Sequence, residues 1–343
     1  MRLRYRSSVS LTAVLTMVTL AAIPQRVLQL HRDAVVVDLH SDTLLVVGGG
    51  ARDVGTRSTV GHIDLPRLRE GGVDVQVFAA FVHPREASRG FARALELIDA
   101  FDRMVTAHRG MVGRATTVQQ IESTVRAGRI AGVLSIENGD ALGGQVDNLA
   151  VLYRRGVRVM GLTWNASNAL ADGALDHRHG GLTPLGKAVV TRMQTLGIVI
   201  DVSHLSEQSF WDVLAASTGP VMATHSDAAA IVPHPRNLTD AQLRALAARG
   251  GVVGVNFYPA HSGGASIEHI LRQIDYMVKI MGVDHVALGS DFDGFTQSVR
   301  GLEDAAKMPT LTAGLAARGY TPDQIKKILG GNALRVFKQV WGR

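Results

Sequence analysis

Eight short apolar segments punctuate the chain, each rich in β-branched residues and each closing on a polar residue able to do chemistry. In order they are AVVVDLHSD, DVQVFAAFVH, GVLSIEN, VRVMGLTWN, GIVIDVSH, PVMATHS, GVVGVNFY and HVALGSDFDG. Apolar runs of this length are too short for helices and read as buried parallel strands. Between them lie amphipathic stretches of helical length, among them Phe91 to Val105, Leu185 to Leu196, Asp240 to Ala248 and Ile267 to Met281. Strand and helix alternating eight times predict a (β/α)8 TIM-like barrel. Thr321 to Phe337 reads as a closing helix that Thr321 caps, Pro322 opens and Gly330–Gly331 interrupt. Two polar loops stand out: Val47 to Asp64 as a flexible, Gly-rich mouth loop, and Asn165 to Pro184, which carries His177 and His179.

The barrel sets where chemistry belongs, because residues at strand C-termini converge on one mouth. There the sequence places His40 and Asp42, Glu137, His204, His225 and Asp291, on separate segments apart from the first pair. On a strand, positions i and i+2 share a face, so His40 and Asp42 could reach one ion. Taken singly, each of these residues also suits a polar contact that satisfies a loop. Gathered at one mouth, they would be costly to desolvate without a cation. Imidazole with carboxylate suits zinc, and less selectively manganese or iron. Five ligands exceed what one open catalytic zinc usually takes, and fit two ions if Glu137 bridges them. His40 and Asp42 then serve one ion, and His204 and His225 the other. Such a pair would hold a shared hydroxide and polarise a carbonyl or phosphoryl oxygen. Asp291 is placed to shuttle a proton, whereas Asp293 suits the GSDFDG turn.

Composition narrows the picture. A chain of 343 residues suits one barrel with extra helices. The formal charge of +6 owes half its value to Arg2, Arg4 and Arg6, and only 5% of residues are aromatic, which argues against nucleic acid as a partner. The absence of cysteine excludes disulfides, thiolate-bound zinc and thiol nucleophiles. MRLRYR followed by a mostly apolar run to Ile23, with Ala21 and Ala22 before Pro24, reads as a secretory signal peptide or N-terminal anchor over residues 1–24. A single domain over 25–343 follows, with Gln25 to His31 as a lead-in helix. The expected location is outside the cytoplasm, periplasmic or secreted, with membrane contact only if the leader is retained.

The ordered set DLHSDT, GGVDVQVFAAFV, SIENGDAL, YRRGVRVMGLTWN, DVSHLS, ATHSDAAAIVPHPRNLTD, GSDFDG and ILGGNALRVF resembles the membrane (renal) dipeptidase family. These are dinuclear zinc peptidases among the amidohydrolase-like barrels, and the resemblance runs from about Val36 to the C-terminus. It implies that His40 and Asp42 bind the first Zn2+, Glu137 bridges, His204 and His225 bind the second, and Asp291 is the acid/base carboxylate. Arg236, in HPRN, matches the arginine that receives the substrate carboxylate, a task suited to a guanidinium fork. Asn237 and Trp164 are further candidate substrate contacts. A dipeptide substrate follows, with tolerance of a C-terminal D-residue, and homodimers are common in the family. One position departs: the family carries a histidine where this chain has Trp164, and an indole can donate one N–H but exchange no proton. His177, His179 and His234 are candidates to replace that imidazole. The departure keeps open a hydrolase of lactams, lactones or other non-peptide amides, or a weakly catalytic metal-bound binding protein.

Overall fold

A computed structural model describes residues 23–342 except His177 and His179, so the leader segment and those two loop histidines lie outside the described residues. Nine parallel strands form: β1 Val37–Asp38, β2 Val75–Phe81, β3 Val112–Arg114, β4 Ile130–Glu137, β5 Val157–Gly161, β6 Val199–Asp201, β7 Met222–Ala223, β8 Val252–Val255 and β9 Val286–Leu288. All but β3 close a barrel in the order β1-β2-β4-β5-β6-β7-β8-β9, with β9 returning to β1. These eight are the predicted segments. The extra strand β3 pairs with the entry half of β4 (Val112↔Ile130), while β5 takes the exit half (Leu134↔Val157). Its three residues, Val-Gly-Arg, carry too little apolar pattern to announce a strand.

Alternation decides what the barrel encloses. Val75 and Val77 of β2, Ala131 and Val133 of β4, Val159, Val199, Met222, Val252 and Ala287 form one buried interior cluster. Their neighbours Phe78, Leu134, Met160, Ile200, Ala223 and Val253 belong to the outer core beneath the helices. The closing helix Asn332–Trp341 plugs the strand-entry end, with Ala333, Val336 and Phe337 joining the interior cluster and Phe337 stacked on Trp341 at 4.1 Å. The Gly330–Gly331 pair widens the preceding turn into a π-helical turn, Lys327–Gly331, and does not break the run. A Cβ on Gly330 would lie 2.1 Å from the Val35 carbonyl oxygen, so this helix reaches the barrel floor only with glycine there.

The other helices follow their sequence signals. Asp240–Ala248 starts on a Thr239/Gln242 capping box, and Pro184–Leu196 starts on Thr183 and ends at Gly197 in the left-handed region. The lead-in helix spans Gln25–Arg32, and Ile23 and Val27 pack beside Ala313. The Val47 to Asp64 loop differs from expectation: it is tied down. Asp293 accepts from the His62 backbone N–H (2.7 Å), the Thr43 hydroxyl (2.9 Å) and the Arg52 guanidinium (3.2 Å). Its own N–H donates to His62 Nδ1. A carboxylate buried among these donors anchors the loop over the mouth.

Candidate metal centre

Glu137 ends β4 and continues the inward series Ala131, Val133, Ser135, so alternation alone aims its carboxylate into the mouth. Its two oxygens face different partners. Oε2 lies 3.4 Å from His40 Nε2, whereas Oε1 lies 2.9 Å from His204 Nε2 and 3.8 Å from His225 Nε2. Asp42 Oδ2 is 3.7 Å from His40 Nε2. His40 and Asp42 come together past the end of β1, where Asp42 already precedes the helix Thr43–Gly48, and not on a strand as the spacing predicted. Donor atoms of His40, Glu137 and His225, and of His40, Asp42 and Asp291, lie mutually within 4.8 Å. The two sets share His40, whose Nε2 has the carboxylates of both Glu137 and Asp42 within reach.

Several features fit a cation. Two ligands on one tetrahedral zinc stand about 3.3 Å apart, given bonds of about 2.0–2.1 Å, and the distances above bracket that value. His204 Nε2 and His225 Nε2 approach to 2.9 Å, and the His40 and His225 rings lie 3.8 Å apart between centroids. His40 Nε2 is fully buried with no hydrogen-bond partner. Nitrogens so crowded need a shared positive centre or a proton between them. The protonation pattern shows the same tension. Burial drives His204 and His225 well below the usual imidazole range, leaving them neutral. For His40 burial opposes the charge, but Glu137 and Asp42 outweigh it and hold the ring protonated. Burial, then the neighbouring Asp42, pushes Asp291 up to about 7, and burial, then Glu137, raises Asp42. A bound dication reverses this by favouring every carboxylate in its charged form.

Arg236 is buried against the cluster: Nε donates toward His204 Nδ1 (2.9 Å), Nη1 to Ser226 Oγ (3.0 Å) and Nη2 to the His225 carbonyl (2.8 Å). Asn237 follows Arg236 and is buried, its Oδ1 without a hydrogen-bond partner. Its amide donates to the Val232 and His261 carbonyls, 3.0 Å each, which makes it a brace for its own loop. His234 is similarly local, its Nδ1 accepting from the Arg236 N–H. Trp164 stands at the rim, its ring 5.3 Å from Phe81, 5.7 Å from His83 and 6.1 Å from His204. It lines an open cleft of about 500 Å³ with Asn165, Ala166, Leu175, Asp176 and Arg178.

Other residues at the mouth escaped the sequence reading. Asn256 Nδ2 donates to Asp291 Oδ2 (3.0 Å), orienting that carboxyl. Asn165 Oδ1 lies 2.9 Å from His204 Nδ1. Asp201 and Thr224 sit beneath His225, and Asp38 receives both the Ser290 N–H (2.8 Å) and hydroxyl (2.7 Å). Asn256 and Asp201 were accessible in principle, since each is the inward-parity residue at or just past the end of its strand.

Comparisons with known proteins give the family and the fold. The sequence matches the family model described as "Membrane dipeptidase (Peptidase family M19)" over residues 24–341. It is 33% identical over 296 residues to dipeptidase aclJ of Aspergillus oryzae, covering 82% of this chain and 70% of that one. The fold superposes on the probable dipeptidase PvdM of Pseudomonas aeruginosa with a TM-score of 0.89 at 25% identity, over 94% of this chain and all (100%) of the other. A metallopeptidase of Rhodobacter sphaeroides, solved with a phosphinate mimic of the dipeptide L-Ala-D-Ala, matches with a TM-score of 0.84 at 30% identity, over 90% and 100% of the two chains. With its family model matched along nearly the whole barrel, the chain belongs to the membrane dipeptidase family, peptidase family M19.

Proposed function

We propose that this chain is a two-zinc dipeptidase that hydrolyses short peptides, including those ending in a D-residue. The observation that carries it is the split carboxylate of Glu137, one oxygen turned to His40 and the other to His204 and His225. In this reading His40 and Asp42 would hold one Zn2+ and His204 and His225 the other, with Glu137 as the shared ligand. When bound, such ions polarise the scissile carbonyl and lower the pKa of water at the site. The protein's own groups do the rest. Arg236, buried beside the cluster with its guanidinium held by Ser226 and the His225 carbonyl, is the residue suited to receive the substrate carboxylate, a fork-to-fork match. Asp291, held by Asn256, takes a proton from the attacking water and passes it to the departing amine. His40, Asp42, Glu137, His204 and His225 are buried beside a half-buried Asp291, a low-dielectric setting that strengthens each of these contacts. The Rhodobacter sphaeroides relative, liganded with its L-Ala-D-Ala mimic, supports the D-residue.

Trp164 supports a second reading, in which an apolar rim admits a lactone or non-peptide amide in place of a dipeptide. The apolar leader after a basic tip supports export, which puts either substrate outside the cytoplasm.

The test is amine release from L-Xaa-L-Xaa and L-Xaa-D-Xaa dipeptides by metal-stripped and zinc-reloaded protein. Activity should vanish on stripping, return with two equivalents of zinc, and be lost in Asp291→Asn. Full zinc loading without turnover of any dipeptide would overturn the peptidase reading and bring the lactone and amide panel forward.

A further inference from the structure

Beneath His225 stand two polar residues, Asp201 at the end of β6 and Thr224 just past the end of β7, each two positions beyond an inward-facing residue of the apolar interior, Val199 and Met222. Thr224 Oγ1 donates to Asp201 Oδ2 at 2.5 Å, and the same hydroxyl oxygen lies 2.9 Å from His225 Nδ1. Asp201 Oδ1 accepts from the backbone N–H of Ser203 and of Thr224, both at 2.9 Å. The His225 N–H in turn donates to Ser203 Oγ (3.2 Å), which locks the two strand ends together.

The direction of each proton follows from this wiring. Asp201 accepts three hydrogen bonds and donates none, so the single hydroxyl proton of Thr224 is committed to it. The Thr224 oxygen has only lone pairs left to offer, and His225 Nδ1 must carry the hydrogen between them. In a neutral ring the other nitrogen, Nε2, is then bare and faces Glu137 and His204. The backbone grips Thr224 as well: a Cβ on Gly254 of β8 or on Gly289, just past β9, would fall 2.1 Å or 1.7 Å from its carbonyl oxygen, so both segments approach it only as glycine.

His204 has no such arrangement. Its Nδ1 meets the Asn165 carbonyl oxygen and the Arg236 Nε–H, each 2.9 Å away, and these call for opposite tautomers. One imidazole is wired and the other is not.

We propose that Asp201 is a positioning residue, acting through Thr224 to hold His225 in the Nδ1–H tautomer with Nε2 ready for a divalent cation. The cation itself rests on the two-zinc reading above, whereas the tautomer does not. Accordingly the test has two arms. In metal-free protein, nitrogen NMR of the histidine rings should show His225 protonated at Nδ1; Thr224→Val should move the proton to Nε2 or mix the forms, and Thr224→Ser should restore it. In the second arm, zinc competition with a chromophoric chelator should show one of the bound equivalents weakened about 10–100-fold in Thr224→Val and Asp201→Asn, with recovery in Thr224→Ser. A His225 tautomer unchanged in Thr224→Val overturns the proposal, as does unchanged zinc affinity. A loss of thermal stability alone, with both readouts intact, also overturns it, since it assigns the pair to scaffolding. Failure of the wild-type chain to bind zinc at all would instead count against the two-zinc reading, and the NMR arm would still decide the wiring.

Discussion

At the floor of the barrel, Val37, Val75, Val159, Val199 and Val252 meet Ala333, Val336 and Phe337 in a cluster shielded from solvent. Further along the inward faces of the barrel, at or just past the ends of β4, β6, β7 and β8, stand Glu137, Asp201, Thr224 and Asn256. The floor obeys the ordinary economy of burial, each filled side chain contributing about 1.5–3 kcal/mol. The mouth does the reverse: it gathers buried carboxylates and imidazoles whose charges oppose one another. Backbone strain divides the same way. Among the described residues, the non-glycine positions with positive φ are Asn138, His204, Asp291 and Asp293, all at the mouth. A barrel thus keeps stability and chemistry apart along one strand axis, so the floor tolerates what the mouth demands.

Three substitutions would break or sharpen that contrast. Glu137→Gln removes the one group that faces both halves of the centre; dipeptide turnover is expected to fall on the order of 10⁴-fold, as for other residues that act as a unit. Metal analysis of the same variant should show less than the wild-type zinc content, while its denaturation midpoint without metal stays near or above the wild-type one. Phe337→Ala does the opposite: it opens a cavity in the floor and should cost about 3–5 kcal/mol in chemical denaturation. Zinc content and kcat of the folded fraction should be unchanged, and a large fall in either would show that floor and mouth are coupled.

Asp74, at the entry to β2, gives the smallest effect and a pH signature. Burial lifts its carboxyl to about 6, only partly offset by the bond from the Val36 N–H. A folded-state pKa above the unfolded one means that the neutral form is favoured in the fold. The resulting penalty is absent below the unfolded value near 4, grows as pH rises to about 6, and is constant above it. Asp74→Asn is therefore expected to stabilise the protein by about 1 kcal/mol at neutral pH, after allowance for partial exposure. The gap from wild type should close as pH falls towards about 4.5. A gap that is flat or reversed across that range would show that Asp74 stays charged in the fold.

Most of the barrel could be read before folding because its strands announce themselves locally. Val-rich runs between amphipathic stretches need no tertiary partner to be recognised, and Asp240–Ala248 and Ile267–Met281 fall where periodicity put them. The residues of the centre were legible for the same reason, lying at or just past strand ends. What escaped was whatever depends on a distant neighbour. β3 exists only because the entry edge of β4 is free to pair. The Val47 to Asp64 loop is held by Asp293, which is remote in sequence. That two carbonyls, of Val232 and His261, take up the Asn237 amide could not be read from its motif.

Chain order and residue type by themselves determined the barrel, the family and the kind of atoms at its mouth, since period and strand-end chemistry are local properties. Only the tertiary structure decided which oxygen of Glu137 faces which imidazole, that Asp201 reaches His225 through Thr224, and that Trp164 shares the rim with Phe81 and His83. Those facts are distances between residues far apart in the chain, and they come into being when the eighth strand closes on the first.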